Sequence, residues 1–211
     1  MAKHLVWDWN GTLIDDFAAV VEATNLAIGT VGGQQLDAAT HRERFFRPVA
    51  DFYSELAGRE LPPAEFAELD KLFHQHYHSK LAEHGLTVDA RAAIAAWPGT
   101  QSLLSMWFHN DLVPLVTEHG LVEHFARIDG LRETVGGNSK HPYLVAHLEA
   151  LGIDATDCVL IGDSVDDHVA AATAGASCVL YAGGFTSPTR LRATGAPVAE
   201  SLTEAVALAL G

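Results

Sequence analysis

His4-Leu5-Val6-Trp7-Asp8-Trp9-Asn10-Gly11-Thr12-Leu13 is a short apolar run that delivers a carboxylate, Asp8, into a Gly-Thr turn. Strands buried on both faces of a parallel sheet have this continuous apolar character, and their carboxyl ends are where such sheets place ligands. Downstream the pattern changes at once. Asp15 or Asp16 is placed to cap a helix carrying Phe17, Val20, Val21, Leu26 and Ile28, ended by Gly32-Gly33. Short helices are expected over Leu36 to Arg47 and through Asp51–Leu56. A longer one opens at Pro62-Pro63, with Phe66, Leu69, Phe73 and Tyr77 on one face and Gly85 at its end.

From Asp89 onward strands and helices alternate as in a doubly wound sheet. The reading is helix Asp89–Trp97, strand Ser102–Met106, helix Leu112–Glu118, a short strand near Phe125–Ile128 and the loop Gly136-Gly137-Asn138-Ser139. Helix Pro142–Leu151, strand Cys158–Ile161, helix Asp166–Ala174, strand Cys178–Tyr181, helix Pro188–Ala193, an edge strand at Pro197-Val198 and helix Leu202–Leu210 follow. The expected fold is therefore α/β: a Rossmann-like, doubly wound parallel sheet core from residues 1–15 and 88–211. An all-helical insertion, residues 16–87, is expected to fold as a lid over the strand ends.

The 211 residues are 48% apolar and 19% charged, the balance of a soluble globular chain. Thirteen basic against 27 acidic residues give a net charge of −14. That excludes the basic footprint of nucleic acid binding and leaves an anionic substrate to be drawn in by local positive groups. No apolar run reaches the length of a membrane span, and the first strand follows Lys3 too closely for a signal peptide. Cys158 and Cys178 lie in apolar, strand-like segments and read as reduced core thiols. The expected location is cytoplasmic, with no membrane partner; oligomeric state has no signature.

Asp8, Ser105 and Asp163 fall at predicted strand ends, with Asp167 just beyond and Lys140 opening a helix. Carboxylates crowded together repel unless a cation joins them, and hard oxygen ligands point to Mg²⁺. Ser105 offers a hydroxyl, Lys140 a positive charge, and the Gly11-Thr12 amides a nest for an anion. A phosphate-sized anion suits this set, with Asp8 as a nucleophile that forms an aspartyl-phosphate for water to hydrolyse.

At these residues the chain resembles the haloacid dehalogenase-like hydrolases, most of whose members are phosphatases. Asp8-Trp9-Asn10-Gly11-Thr12-Leu13 is similar to the family's first motif, Asp-x-Asp-Gly-Thr. Ser105 and Lys140 stand where the second and third motifs have Ser/Thr and Lys, and Gly162-Asp163-Ser164-Val165-Asp166-Asp167 matches the fourth. The layout is that of phosphoglycolate phosphatase-like members with a helical cap. The resemblance implies that Asp8 is nucleophile and metal ligand, that the Asn10 main-chain carbonyl is a second ligand, and that Asp163 is a third. Asp167 then supports the metal shell or Lys140, while Ser105 and Lys140 hold the phosphoryl group of a small phosphorylated metabolite.

Asn10 departs from the pattern. The family's phosphatases have an aspartate there to protonate the leaving oxygen and later activate water, and an amide does neither near neutral pH. Losing general acid–base help typically costs about 10²–10⁴ in rate. Acyl, anhydride and aryl phosphates, whose leaving groups need little protonation, suffer least. The alternative function is a catalytically impaired phospho-ligand binder or regulatory protein.

Other candidates carry bland readings beside the sharp ones. His74 and His78 share a helix face at metal-binding spacing, but a solvated face is the ordinary explanation. His109 and His168 are candidates for a substitute proton carrier. Asp166 reads as a helix-start carboxylate, Met106 as a doubtful substrate contact, and Lys71 and Lys80 lack a context for imine chemistry.

Overall fold

The computed structural model describes residues 2–81, 83–132 and 139–211. Strand β1 (His4–Trp7) is followed by four helices, α1 (Phe17–Gly29), α2 (Ala38–Arg44), α3 (Val49–Ala57) and α4 (Pro63–Leu81). The chain then alternates through α5 (Ala90–Ala96), β2 (Thr100–Phe108), α6 (His109–Glu118), β3 (Ile128–Leu131) and α7 (His141–Leu151). It closes with β4 (Cys158–Gly162), α8 (Val165–Ala174), β5 (Ser177–Tyr181), α9 (Pro188–Ala193), β6 (Val198–Ala199) and α10 (Leu202–Leu210).

All strand pairs are parallel, in the order β3-β2-β1-β4-β5-β6. The strand order reverses beside β1, so the crevice at this switch point opens at the carboxyl ends of β1 and its neighbours. Alternate residues of the central strands go to opposite faces. Leu5 and Trp7 join Leu103, Val159 and Ile161 in one cluster, while Val6 joins Leu104, Cys158 and Leu160 in another. Trp7, Leu103 and Ile161 are wholly buried; burying side chains of this kind contributes about 1.5–3 kcal/mol each. The helices α1–α4 have their own cluster around Ile28, Phe52, Leu56 and Phe66, and Phe45 and Phe73 pack against both it and the sheet's cluster.

Several boundaries differ from the sequence reading. β2 runs to Phe108, because Met106-Trp107-Phe108 continues the extended run through a register shift against β3. α6 accordingly starts at His109 rather than Leu112. β3 lies at Ile128–Leu131 instead of Phe125–Ile128; its Asp129 hid it, since that carboxylate is paired with Arg127 and His147. The long helix stops at Leu81, before Gly85. The glycines of the loop 136–138 lie outside the described residues.

A polar chain crosses the core. His147 Nδ1 lies 2.7 Å from Asp129, His147 Nε2 and His4 Nε2 each 2.7 Å from Ser102 Oγ, and His4 Nδ1 2.8 Å from Thr100 Oγ1. One set of tautomers satisfies every member: His147 donates to Asp129, Ser102 to His147, His4 to Ser102 and Thr100 to His4. The chain ties β1, β2 and β3 to α7, the helix that begins directly after Lys140. Ser102 is fully buried, so the Asp-His-Ser order here is structural.

Candidate active site

Asp8 directly follows β1, and its N–H donates to Ile161 O at 2.9 Å, which fixes the strand end between β2 and β4. Asp163 directly follows β4. Asp167 occupies the first turn of α8, where Ser164 N–H and Oγ–H both donate to its Oδ2, at 3.0 and 2.6 Å, in a capping box. Gly162 permits this approach: a Cβ there would stand 2.3 Å from Asp167 Cγ. Gly11, at φ +71°, does the same for the other wall, since a Cβ would lie 2.6 Å from Asp163 Oδ2.

Lys140 reaches in from the start of α7 and is 2% exposed. Its ammonium donates to Asp8 Oδ1 at 2.5 Å and to Asp167 Oδ1, while its backbone N–H donates to Asp166 at 2.9 Å. One ligand atom from each of Asp8, Asp163 and Asp167 lies within 4.8 Å of the others. Burial, then the neighbouring carboxylates, pushes Asp163 well above the usual range. Burial also raises Asp8 against the pull of Lys140. For Asp167 burial acts upward, but Lys140 outweighs it and holds the carboxyl low. Burial acts to lower Lys140, and Asp167 and Asp8 reverse that, so the ammonium is held above its ordinary value. Three buried carboxylates against one ammonium leave a negative surplus in an all-oxygen donor set. That chemistry fits a hard divalent cation. Lys140 and Ser164 engage both oxygens of Asp167, whereas Asp8 Oδ2 and Asp163 Oδ1 face the Thr12 hydroxyl at 3.3 and 3.2 Å, which leaves one lightly held oxygen on each for a cation.

The turn amides do not form the expected anion nest. Gly11 N–H donates to Asp16 Oδ1 at 2.8 Å and Thr12 N–H to Trp9 O at 3.2 Å, so both are spent within the turn. The Thr12 hydroxyl instead stands 3.3 Å from Asp8 Oδ2 and 3.2 Å from Asp163 Oδ1. Ser105 is in reach of the cluster's neighbour: its Oγ–H donates to Asn10 Oδ1 at 3.1 Å and accepts from Trp107 N–H at 3.0 Å.

Asn10 is held by two residues that the sequence reading did not place at the site. Its Nδ2 donates to Asp16 Oδ2 and to the Tyr77 hydroxyl, both at 2.8 Å, and Tyr77 donates to Asp16 at 2.5 Å. Asp16 sits at the N-cap of α1 but makes no capping bond with its side chain. Burial pushes it up to about 6 despite its three donors. The signal lies just past the first motif, where the amide at position 10 is followed by two adjacent carboxylates, Asp15 and Asp16.

Two cavities that share lining residues lie over this edge. One, of about 30 Å³, is lined by Asp8, Lys140, Asp163, Ser164 and Asp167. The other, of about 100 Å³, runs among α1, α3 and α4. Asn10, Phe45, Arg47, Met106 and Phe185 line both, which places Met106 at the junction and adds Arg47 to the site. His109 and His168 are not brought in. His109 accepts from Gly130 N–H at 3.2 Å, and His168 lines a separate cavity with Asp157 and Cys178. His74 and His78 diverge, toward Asp70 and Asp111. Lys80 pairs with Glu22 and Glu83, and Lys71 is exposed. No helix among the described residues is long and apolar enough to cross a membrane.

The loop after β5 grips the helices. Arg42 Nη2 donates to Gly183 O at 2.9 Å, Ser187 N–H to Arg42 O at 3.1 Å and Arg190 Nη1 to Phe45 O at 2.6 Å.

Residues 135–205 match the HAD-hydrolase-like family model. The chain is 28% identical over 209 residues to a phosphoglycolate phosphatase of Chromobacterium violaceum, covering 90% of each protein. It is 27% identical to the phosphoglycolate phosphatase of Yersinia pseudotuberculosis, over 84% of this chain and 79% of that one. In fold it is similar to a predicted phosphatase from Clostridium acetobutylicum, with a TM-score of 0.87 over 100% of this chain and 99% of that one, at 16% identity.

Proposed function

We propose that the chain, phosphoglycolate phosphatase-like in sequence, is a member of the haloacid dehalogenase-like superfamily of hydrolases and, within it, a Mg²⁺-dependent phosphatase acting on a small phosphorylated metabolite. One observation carries the reading: the buried cluster of Asp8, Asp163 and Asp167 around Lys140 at the carboxyl edge of a parallel sheet. In this reading residues 1–15 and 88–211 are the catalytic core. Residues 16–87 are a cap that limits access to small substrates.

Asp8, Asp163 and the main-chain carbonyl of Asn10 hold the metal, with Asp167 completing the acidic set while it fixes Lys140. When bound, Mg²⁺ supplies positive charge to the phosphoryl oxygens. Lys140 and the Ser105 hydroxyl orient the phosphoryl group, and the turn at Gly11-Thr12 sets the Asp8 carboxylate at its phosphorus. A carboxylate oxygen of Asp8 bonds to phosphorus as the ester P–O bond breaks, and the electron pair leaves on the departing oxygen. Water then cleaves the aspartyl-phosphate, releasing inorganic phosphate and restoring the carboxylate. Lys140 stabilises the equatorial charge in both steps.

Asn10 has no proton to give. Its Nδ2 is committed to Asp16 and Tyr77, and its Oδ1 accepts from Ser105. The departing oxygen takes its proton from water, which favours leaving groups of low basicity. The same commitment favours the second reading, a phospho-ligand binder with little turnover.

Phosphate release from acetyl phosphate and p-nitrophenyl phosphate in Mg²⁺ separates the two. Activity that falls to background in Asp8→Asn supports the phosphatase. Activity unchanged in Asp8→Asn overturns the nucleophile assignment, and no release by the parent favours the binder.

A further inference from the structure

The cavity of about 100 Å³ beside Asn10 is electrically uneven along its length. The end it shares with the carboxylate cluster carries Arg47, which makes no hydrogen bond or ion pair among the described residues and whose charge is felt by Asp166. The end it does not share carries a carboxylate, Asp70, 8% exposed, with His74 Nε2 3.5 Å from its Oδ1. Burial first, and the Asp70 charge behind it, pushes the neighbouring Tyr53 phenol above its ordinary value, which places Asp70 close to that ring. The walls between are aromatic: Phe52, Tyr53, Phe73, Tyr77 and Trp107. Aromatic faces are negative and attract cations, most of all where water is excluded.

Size narrows the occupant further. An apolar cavity of about 150 Å³ takes benzene, so by the same ratio about 100 Å³ takes roughly four non-hydrogen atoms. The polarity runs positive at the phosphoryl end and negative at the far end. We propose that the alcohol esterified to the phosphate is a small amino alcohol, held with its ammonium against Asp70 and the aromatic walls. The proposal rests on the phosphatase reading above and names its substrate class. A glycolate leaving group is of similar size but sets a carboxylate against Asp70. An ammonium two carbons from the ester oxygen also withdraws electrons and lowers the basicity of the departing alkoxide. That partly offsets the proton Asn10 does not supply.

Three near-isosteres test this with the full chain in Mg²⁺: O-phosphoethanolamine, n-propyl phosphate and 2-phosphoglycolate. They end in an ammonium, a methyl and a carboxylate, respectively. The expected kcat/KM for O-phosphoethanolamine exceeds that for n-propyl phosphate by about tenfold or more, with 2-phosphoglycolate lowest. Asp70→Asn brings the phosphoethanolamine-to-propyl ratio toward one. Phe73→Leu, which leaves the carboxylate in place, lowers the same ratio. Acetyl phosphate cleavage that depends on Asp8, combined with a ratio at or below one or with preference for 2-phosphoglycolate, overturns the substrate class and leaves the phosphatase standing. Where the parent cleaves no phosphate at all, the phosphatase reading falls, and calorimetric affinities of the same three compounds decide the chamber's preference. The ammonium compound binding tightest supports it, and equal binding or the reverse order overturns it.

Discussion

Replacing Asn10 by Asp restores the family's residue on paper, yet in this structure the single change works against the fold. Asn10 Nδ2 stands 2.8 Å from Asp16 Oδ2, and a carboxylate in its place faces another carboxylate. At an effective dielectric of about 20 two such charges repel by roughly 6 kcal/mol, so the pair escapes by keeping one proton. Asp16 already holds its proton up to about 6. Keeping it at pH 7 costs about 1.4 kcal/mol, and the donor bond from position 10 to Tyr77 is lost at about 1 kcal/mol more. Asn10→Asp is therefore expected to destabilise by about 2–2.5 kcal/mol. Asp16→Asn alone is expected to cost about 1 kcal/mol, because an amide has a single oxygen: kept toward Gly11 N–H, it turns its NH₂ against the Asn10 Nδ2 donor. The double variant exchanges donor and acceptor and regains most of both losses, giving a favourable coupling of about 2–3 kcal/mol in a denaturant-unfolding cycle. It also sets a carboxylate beside Ser105 with an amide behind it, so phosphate release from an alkyl phosphate should rise at least about tenfold above the parent. Additive stabilities, with no coupling between positions 10 and 16, would refute the paired reading.

Magnesium should raise the melting temperature relative to EDTA, because a ligand that binds the folded carboxylates alone stabilises by about 2.7 kcal/mol at a hundredfold excess over Kd. Asp163→Asn should remove most of that rise, and equal melting in Mg²⁺ and EDTA for the parent would sink the metal assignment. Acid should weaken the core through His4, which burial and then His147 push down to about 4, and through His147, lowered chiefly by burial. Both are neutral in the fold while unfolded histidines titrate near 6.5. Their contribution is thus whole above that value and is lost as pH falls below it, down to about 4 for His4. Melting followed from pH 7.5 to 4.5 should show a shallower acid limb for His4→Asn than for the parent; parallel limbs contradict this account.

The parallel core is legible because its central strands are nearly uninterrupted apolar runs, and the candidate residues Asp8 and Asp163 each directly follow such a run, while Ser105 lies within β2 and Lys140 opens helix α7. β3 is displaced from its expected place because one of its four residues, Asp129, serves an ion-pair network and, with Gly130 beside it, mimics a loop. Asp16 looked like a helix cap, since the local pattern of an Asp before Phe17 is the same whether its carboxylate turns to the helix or to Gly11 and Asn10. The places of the Tyr77 hydroxyl and of Arg47 at the site are beyond periodicity. Tyr77 was assigned to the apolar face of its helix, correctly, but its hydroxyl meets Asn10 only through long-range packing. The turn amides failed as a nest for a related reason: Asp16 consumes the Gly11 donor that spacing alone leaves open.

Strand β1 is central, yet it pairs with β2 at Thr100 and with β4 at Cys158. During synthesis it leaves the ribosome long before either neighbour. At about 5–20 residues per second its second partner follows on the order of ten seconds later. For that interval Leu5, Val6 and Trp7 have no sheet to enter, while α1–α4 can already collapse on their own cluster. The nascent chain thus carries a sticky, unpaired segment beside a folded helical block. Its yield in a cell should respond more to a chaperone that shields this segment than to further stabilisation of the finished sheet.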